Sequence, residues 1–325
     1  MNKWFLTAGL VALASGTALV GQTRVLPVEA VSGPPEIDKT TQTEDVKFKS
    51  DTAQRMTVPV LLAGRGPYRF LVDTGANRTA ISREVANRLQ FVIGANVPLH
   101  SAAGVSTVST ARVPTLQLTR KEIPNINAAL LNGADMGADG ILGTDSLRSQ
   151  RVMFDFEAQT MSIVPSAVPD FKAEPGTIVI EGARRNGRLV VTEATANGHP
   201  LTVVIDTGSQ YCIGNPALRR SLLGKSLKDG EPVVIETVAG DKINGEFMFI
   251  RQLEIGGVTL KDLVIIFADA HTFKQLGYDK KPALLLGMNA MRAFKKVSID
   301  FASRKLRVVV PEHSSLDLRM AAARL

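Results

Sequence analysis

The sequence predicts a duplicated globular protein whose two similar halves contain buried strands, strand-turn-strand stretches and short helical stretches. Three observations carry this prediction. Apolar runs at 70–72 and 203–205 show no polar alternation and each ends in an Asp-Thr-Gly turn, as expected of strands buried on both faces. The second half of the chain repeats the landmarks of the first half in the same order. The chain has 325 residues, 45% hydrophobic and 21% charged, which is typical of a globular protein with room for two cores.

The N-terminal segment, residues 1–30, has one lysine, an apolar block from Trp4 to Val20, and then polar residues. This order is typical of a secretory signal peptide, and an uncleaved copy would act as a signal anchor. Small residues allow cleavage after Gly16, Gly21 or Ala30. We therefore expect an exported protein, periplasmic or secreted, which is held at the membrane only if this segment is retained.

Two polar, proline-containing stretches divide the rest of the chain. The stretch "VSGPPEIDKTTQTEDVKFKS" is poor in apolar residues and predicts a flexible leader, and "PSAVPDFKAEPG" carries three prolines and predicts a linker. The expected segments are a leader at 31–50, a first domain at 51–165, a linker at 166–176, a second domain at 177–312 and a C-terminal tail at 313–325.

Charge and cysteine content exclude some classes of function. The formal net charge is +7, but the basic residues are scattered in short pairs with no long basic run, so nucleic-acid binding is not expected. Cys212 is the only cysteine, so no intramolecular disulfide can form. Its apolar neighbours and the lack of a nearby histidine favour a buried thiol over a nucleophile.

The stretch "RFLVDTGANRTAIS", from Arg69 to Ser82, places an aspartate directly after a buried strand. A turn-forming Asp73 is one interpretation, because Asp and Gly are common where a chain reverses. Catalysis requires a second carboxylate. Two carboxylates held together share one proton, which makes one an acid and the other a base, whereas a lone buried one simply takes up a proton.

The second carboxylate is provided by an internal duplication. The stretch "NGHPLTVVIDTGSQYCIG" repeats the first motif and places Asp206 at the same point. Further on, "DGILGTDSLRSQRVMFDFEAQTMSIV" matches "ALLLGMNAMRAFKKVSIDFASRKLRVVV", and each half has a Gly-containing strand-turn-strand stretch between these blocks. Like halves tend to pack about a two-fold axis, where equivalent residues meet. We therefore expect Asp206 to lie beside Asp73.

The two Asp-Thr-Gly elements are each followed by a hydrophobic-hydrophobic-Gly element, Ile141-Leu142-Gly143 and Leu285-Leu286-Gly287. This combination resembles aspartic proteases of the pepsin and retropepsin kind over residues 51–312. With the export signal, the chain is similar to bacterial periplasmic aspartyl proteases that have two tandem retropepsin-like domains. The resemblance implies a mostly β fold with short helices, made of two homologous retropepsin-like β domains related by a pseudo-two-fold axis. It also implies that the active site lies between the two domains.

The resemblance also assigns roles to residues. Asp73 and Asp206 would form the catalytic dyad, and Thr74 and Thr207 would each bond across to the opposite half. Gly75 and Gly208 would allow the tight turn after each aspartate. The remaining positions in this interpretation follow the glycines or mark two flaps: Ala76, Ser209, Ala103, Gly104, Ala239 and Gly240.

The residue after each Asp-Thr-Gly differs between the halves, with alanine at 76 and serine at 209. A serine hydroxyl that donates to the carboxylate of Asp206 would favour its ionised form. We therefore expect Asp206 to be the charged member of the pair more often than Asp73.

The predicted function is an aspartic endopeptidase in which the dyad activates a water against a peptide bond. No metal or cofactor is needed, the substrate is a protein or peptide in extended conformation, and the active form is an intramolecular pseudo-dimer that we expect to be monomeric. A catalytically inactive peptide-binding module on the same fold is the alternative. Retention of both aspartates, threonines and glycines disfavours it.

Other acidic and histidine residues compete for a functional role. Asp155 and Asp300 also recur in the duplication, but they lie within Phe-Asp-Phe and Ile-Asp-Phe strand patterns without an adjacent glycine, which favours a solvent-facing or turn-bonding role. The four histidines show no metal-ligand spacing, so packing or surface roles are expected. They are His100, His199, His271 and His313.

Overall fold

The computed structural model describes residues 45–47, 49–50, 56–118, 121–167, 175–223 and 230–311. The predicted signal segment, the leader up to residue 44, linker residues 168–174 and the tail lie outside the described residues. Across the described ranges, no helix has the length and apolar character needed to cross a membrane.

The first half of the described chain contains eleven strands and three short helices. The strands are β1 (Asp45–Lys47), β2 (Lys49–Ser50), β3 (Met56–Leu62), β4 (Arg65–Val72), β5 (Ala80–Ser82), β6 (Val92–His100), β7 (Val105–Leu118), β8 (Lys121–Leu131), β9 (Gly140–Leu142), β10 (Gln150–Asp155) and β11 (Thr160–Pro165). The helices are α1 (Arg83–Arg88), α2 (Gly133–Met136) and α3 (Thr144–Leu147).

The second half of the described chain repeats these counts. The strands are β12 (Thr177–Glu181), β13 (Ala183–Arg185), β14 (Arg188–Ala196), β15 (His199–Ile205), β16 (Cys212–Gly214), β17 (Glu231–Glu236), β18 (Lys242–Ile255), β19 (Val258–Ala268), β20 (Ala283–Leu286), β21 (Lys296–Asp300) and β22 (Lys305–Val309). The helices are α4 (Pro216–Leu223), α5 (His271–Leu276) and α6 (Met288–Met291).

Each half forms an eight-stranded sheet, and the two sheets have the same strand order. The first runs β2-β3-β4-β9-β5-β8-β7-β6, and the second runs β13-β14-β15-β20-β16-β19-β18-β17. Position by position, each strand of one sheet has its sequence equivalent in the other. The predicted mostly β fold with two similar domains is therefore confirmed.

A third sheet joins the two halves, and sequence reasoning did not anticipate it. Its six strands run β1-β11-β10-β21-β22-β12, so β10 of the first half pairs antiparallel with β21 of the second half. Val152 lies opposite Ile299 and Phe154 lies opposite Val297 in this pairing. These strands are the Phe-Asp-Phe and Ile-Asp-Phe blocks of the duplication, and they hold the two domains together.

The end of the predicted flexible leader is in fact part of the sheets. Strand β1 pairs antiparallel with β11, and β2 pairs with β3. The leader prediction was therefore wrong for 45–47 and 49–50. An open sheet edge accepts almost any sequence because the pairing uses backbone groups, so a polar composition does not exclude a short edge strand.

Apolar residues from both domains form a shared core near the ends of the buried strands. Leu71 and Met136 of the first domain belong to the same buried cluster as Val204 and Phe273 of the second. Burial of this kind is the main favourable contribution to folding. It places the ends of β4 and β15, where the two Asp-Thr-Gly loops begin, between the domains.

Candidate active site

Both Asp-Thr-Gly aspartates follow the end of a buried parallel strand. Strand β4 pairs in parallel with β9, and the Asp73 backbone N–H donates to the Leu142 carbonyl at 3.0 Å. In the second domain β15 pairs in parallel with β20, and the Asp206 N–H donates to the Leu286 carbonyl at 3.1 Å. The hydrophobic-Gly elements therefore hold the backbone of both aspartates from the adjacent strand.

The threonines of the two loops bond across the domain boundary in matching pairs. The Thr74 hydroxyl donates to the Ile205 carbonyl at 3.0 Å, and the Thr207 hydroxyl donates to the Val72 carbonyl at 2.8 Å. Each hydroxyl also accepts from the backbone N–H of the opposite threonine, at 3.0 Å in both directions. Four buried hydrogen bonds thus fix one loop against the other.

The structure brings the two aspartates together. Asp73 and Asp206 are each 0% exposed, and the pKa of each carboxyl group depends on the other. A Cβ added to Gly75 would lie 2.4 Å from an Asp206 carboxyl oxygen, and one added to Gly208 would lie 2.2 Å from the Asp73 carboxyl carbon. Each carboxyl group therefore rests on the glycine of the opposite loop, where any side chain would displace it.

The two carboxyl groups have different hydrogen-bond donors. Asp73 Oδ1 accepts the backbone N–H groups of Gly75 and Ala76, at 2.7 and 2.9 Å. Asp206 Oδ1 accepts the N–H of Gly208 at 3.1 Å. Backbone donors stabilise the charged form of a carboxylate, so this arrangement favours ionisation of Asp73 over Asp206.

Burial raises the pKa of both aspartates because it removes the charged forms from water. The pKa of Asp206 is raised further, since the charge of Asp73 adds to the effect of burial. Two carboxyl groups this close titrate as a unit, and the second backbone donor to Asp73 favours the shared proton on Asp206.

The expectation that Ser209 keeps Asp206 charged was wrong. The Ser209 hydroxyl donates to the Tyr211 carbonyl at 2.7 Å, so its single proton is not available to the carboxylate. The backbone donors favour Asp73 as the charged member instead. The loop places the Tyr211 carbonyl within reach of the Ser209 hydroxyl, so this local hydrogen bond forms although Asp206 is also close in sequence.

The predicted flap residues lie at the tips of two hairpins. Ala103 and Gly104 are in the turn between β6 and β7, and Ala239 and Gly240 are in the turn between β17 and β18. A Cβ added to Gly240 would lie 2.9 Å from an Asp135 carboxylate oxygen of the first domain. The tip of the second hairpin therefore touches the opposite domain.

The hairpin of the first domain is also tied to the second domain. The Ser101 hydroxyl donates to an Asp241 carboxylate oxygen at 3.3 Å. The backbone N–H of His271 donates to the Ala102 carbonyl at 2.7 Å. The ring nitrogens His100 Nδ1 and His271 Nε2 lie 3.1 Å apart. These contacts join the first hairpin to the second domain.

Two protein-family models match the chain. The model described as gag-polyprotein putative aspartyl protease matches residues 58–149, and the model described as aspartyl protease matches residues 192–290. The matches lie in tandem, and each contains one Asp-Thr-Gly loop with its hydrophobic-Gly element. The chain belongs to the retropepsin-like aspartic proteases. No curated protein matches it significantly.

Sequence reasoning missed a buried arginine of this retropepsin-like protease. Arg188, the first residue of β14, is 1% exposed, and its Nε donates to the Gly75 carbonyl in the Asp-Thr-Gly loop of the first domain at 2.6 Å. Its Nη1 donates to Gln275 Oε1 at 3.1 Å. In the sequence it follows the exposed pair Arg184-Arg185, so only its place at the start of an apolar strand distinguishes it from surface charge.

Sequence reasoning also missed two equivalent residues that brace the loops of the retropepsin-like protease. Asp145 accepts the N–H of Thr79 at 2.9 Å and its hydroxyl at 2.7 Å. Asn289 accepts the N–H of Cys212 at 2.9 Å. Asp145 and Asn289 both stand two residues after the glycine of the hydrophobic-Gly element, so aligning the duplicated blocks was the signal that could have found them.

The competing aspartates of the retropepsin-like protease have structural contacts. Asp155 Oδ1 accepts the Ala158 N–H at 2.8 Å. Asp300 Oδ1 accepts the N–H groups of Ala302 and Ser303 at 3.0 and 2.9 Å, and these hydrogen bonds lower its pKa despite partial burial. Both carboxylates therefore cap the turns that follow their strands.

Other reactive side chains of the retropepsin-like protease do not form a second centre. Burial raises the pKa of the Cys212 thiol to about 12, so it stays protonated. His199 is exposed on β15, and His313 lies outside the described residues. Within the described ranges, no three or more potential ligands from His, Cys, Asp and Glu cluster as a metal site would require.

Proposed function

We propose that the chain is an aspartic endopeptidase that hydrolyses peptide bonds with a water activated by Asp73 and Asp206. The observation that carries this proposal is the position of two fully buried carboxyl groups, one from each domain and each packed against the Asp-Thr-Gly glycine of the other. A carboxyl pair that shares one proton supplies both a general base and a general acid. The tandem aspartyl protease matches support the same chemistry.

The unequal environments of the two carboxyl groups support a division of roles. Asp73, with two backbone N–H donors, is the charged member and takes a proton from the water as its oxygen attacks the peptide carbonyl carbon. Asp206 donates its proton to the carbonyl oxygen, which gives a tetrahedral diol. Asp73 then gives the proton it took from the water to the amide nitrogen, and the C–N bond breaks as Asp206 takes a proton back from a diol hydroxyl. The products are an amine and a carboxylic acid, and the pair again holds one proton.

Substrate entry requires movement of the hairpins, because neither aspartate is accessible to solvent. A peptide in extended conformation fits this step, since its backbone can pair with the strands of hairpins that open and close over it. Closure then excludes bulk water from the reacting atoms. When the first hairpin opens, the hydrogen bonds of Ser101 and Ala102 to the second domain must break, or the bonded residues of the second domain must move with the hairpin.

We also propose that the protein is exported and that it is active as a single chain. The N-terminal apolar block supports export to the periplasm or the medium, with membrane attachment only if that segment is retained. Both members of the dyad come from one chain, which supports activity as a monomer.

The test is cleavage of a mixed peptide library, read by mass spectrometry, with and without a statine-type inhibitor. Asp73→Asn and Asp206→Asn should each reduce cleavage by about 10³-fold or more while the fold remains intact, because each removes one proton-transfer group. Asp155→Asn is the matched control, since it alters another aspartate of the duplication and should retain full activity. Full activity in either dyad variant contradicts the proposal, and peptide binding without cleavage by the wild type favours the inactive binding module.

A further inference from the structure

We propose that Arg188 is a positioning residue of the dyad: its fixed positive charge favours the form of Asp73 and Asp206 that carries a single shared proton, and so sets the pH range of cleavage. This inference rests on the proposed function, because it assigns a role within the same site. Nothing in the family matches or in the Asp-Thr-Gly motifs points to this residue.

The position of Arg188 links the two domains at the catalytic loop. It begins β14 of the second domain, yet its Nε donates to the Gly75 carbonyl of the first domain at 2.6 Å. Gly75 is also the residue whose N–H holds Asp73 Oδ1 and whose α-carbon supports the Asp206 carboxyl group. A single arginine thus fixes the peptide unit on which both carboxyl groups depend.

The guanidinium is a buried charge whose direct hydrogen-bond acceptors are neutral. Arg188 is 1% exposed, and its acceptors are the Gly75 carbonyl and the Gln275 side-chain amide. A buried charge without a counter-charge is strongly unfavourable, and arginine does not lose its proton in proteins. The charges that act on it are those of Asp206 and Asp73.

The sum of the three buried charges explains why one proton is favoured. With two protons on the dyad the cluster carries +1, with none it carries −1, and with one it is neutral. Because burial disfavours any net charge, the neutral cluster is the stable one. That is the protonation state which general acid and base catalysis by the pair requires.

The other groups around the dyad do not supply this charge. Helix α5 presents the neutral amide of Gln275 to the guanidinium, and β16 presents the Cys212 thiol to Asp206. The thiol stays protonated, since burial raises its pKa to about 12. Arg188 lowers the pKa of both aspartates, against the effect of burial, so its loss should move both limbs of the pH profile to higher pH.

The test compares charge removal with charge retention. In Arg188→Gln, cleavage of the peptide library at a fixed pH on the acidic limb should fall at least about tenfold, with partial recovery at higher pH. Arg188→Lys keeps the charge and should leave the limb near its wild-type position even if kcat falls. Arg184→Gln removes an exposed arginine four residues upstream and should leave the profile unchanged. An unchanged profile in Arg188→Gln, or equal shifts in Arg188→Gln and Arg188→Lys, overturns the proposal.

A second pair of variants tests the charge without touching the buried arginine. Gln275→Glu places a carboxylate against Nη1 and should move both limbs to higher pH, whereas Gln275→Leu removes the hydrogen bond alone and should not. Gln275 is only partly buried, so both chains should fold even if Arg188→Gln does not. Equal profiles for Gln275→Glu and Gln275→Leu contradict the role of the charge.

A third measurement keeps this inference separate from the proposed function. Titration of the ¹³C-labelled aspartate carboxyl groups by NMR does not require turnover. If the wild type cleaves no peptide, the proposed function fails, but the titration of Asp73 and Asp206 still decides the role of Arg188. Two well-separated steps that both move to higher pH in Arg188→Gln or Gln275→Glu support it, and steps that do not move refute it.

Discussion

The two Asp-Thr-Gly loops share a framework but differ in the environment of their aspartates. The backbone N–H of each aspartate donates to a leucine carbonyl of the neighbouring strand, and each threonine makes the same pair of hydrogen bonds to the other half. Asp73, however, accepts two N–H groups on one oxygen, whereas Asp206 accepts one. A duplicated sequence therefore provides two matched positions and an unequal distribution of charge between them.

The comparison also shows which sequence differences matter. Serine in place of alanine after the second Asp-Thr-Gly is the visible difference between the loops, yet the Ser209 hydroxyl bonds to the Tyr211 carbonyl. The backbone amides of the first loop, which no sequence motif distinguishes from those of the second, favour Asp73 as the charged member. Side-chain identity near a carboxylate is thus a weaker guide than the direction of the surrounding donors.

The largest expected effect comes from breaking the contact between the loops at their glycines. In Gly208→Ala the new methyl group would overlap the Asp73 carboxyl group, and in Gly75→Ala it would overlap that of Asp206. Because a displacement of about 1 Å can cost about 10²-fold in rate, each variant should lose at least that much cleavage activity. Initial rates on the peptide library measure this loss. Ala76→Ser is the conservative comparison and should remain active. Gly198→Ala would not serve as a control, because Gly198 has a φ of +82° and alanine would be strained there.

A smaller effect tests whether the threonines are truly equivalent. Thr74→Val and Thr207→Val each remove one donor and one acceptor from the four cross-domain hydrogen bonds, and each leaves a buried N–H and carbonyl unpaired. We expect each to lower the free energy of unfolding by about 2–4 kcal/mol. Denaturant unfolding measures the change, with Thr202→Val on β15 as the control. A large difference in unfolding free energy between the two threonine variants would show that the two threonines do not contribute equally to the cross-domain hydrogen bonds.

The smallest effect is expected at the position where the loops differ in sequence. Because the Ser209 hydroxyl does not donate to Asp206, Ser209→Ala should change kcat/KM by less than about twofold and leave both limbs of the pH profile in place. The measurement is the pH dependence of kcat/KM on a single peptide chosen from the library. A shift of the acidic limb to higher pH in this variant would restore the hydroxyl as a donor to the dyad.

Much of this site could be predicted from the sequence, because a duplicated sequence indicates two like halves whose equivalent residues lie close together. Two Asp-Thr-Gly elements after buried strands predicted two domains, and the structure places Asp73 beside Asp206 and the threonines across the boundary. The shared six-stranded sheet could not be predicted, since nothing in the pattern of β10 or β21 specifies its partner strand. Arg188 was missed for a similar reason: its burial depends on the packing of two domains, and its sequence neighbours are exposed arginines.

The antiparallel pairing of β10 with β21 affects how the assembly of the site depends on protein concentration. Where two separate subunits each contribute one aspartate, the centre falls apart as the protein concentration drops below the dissociation constant. Here the two contributors are connected both by the peptide chain and by a continuous hydrogen-bonded sheet, so their encounter is intramolecular. The fraction of molecules with an assembled centre is then a property of folding alone, and the specific activity of a nanomolar solution should equal that of a micromolar one.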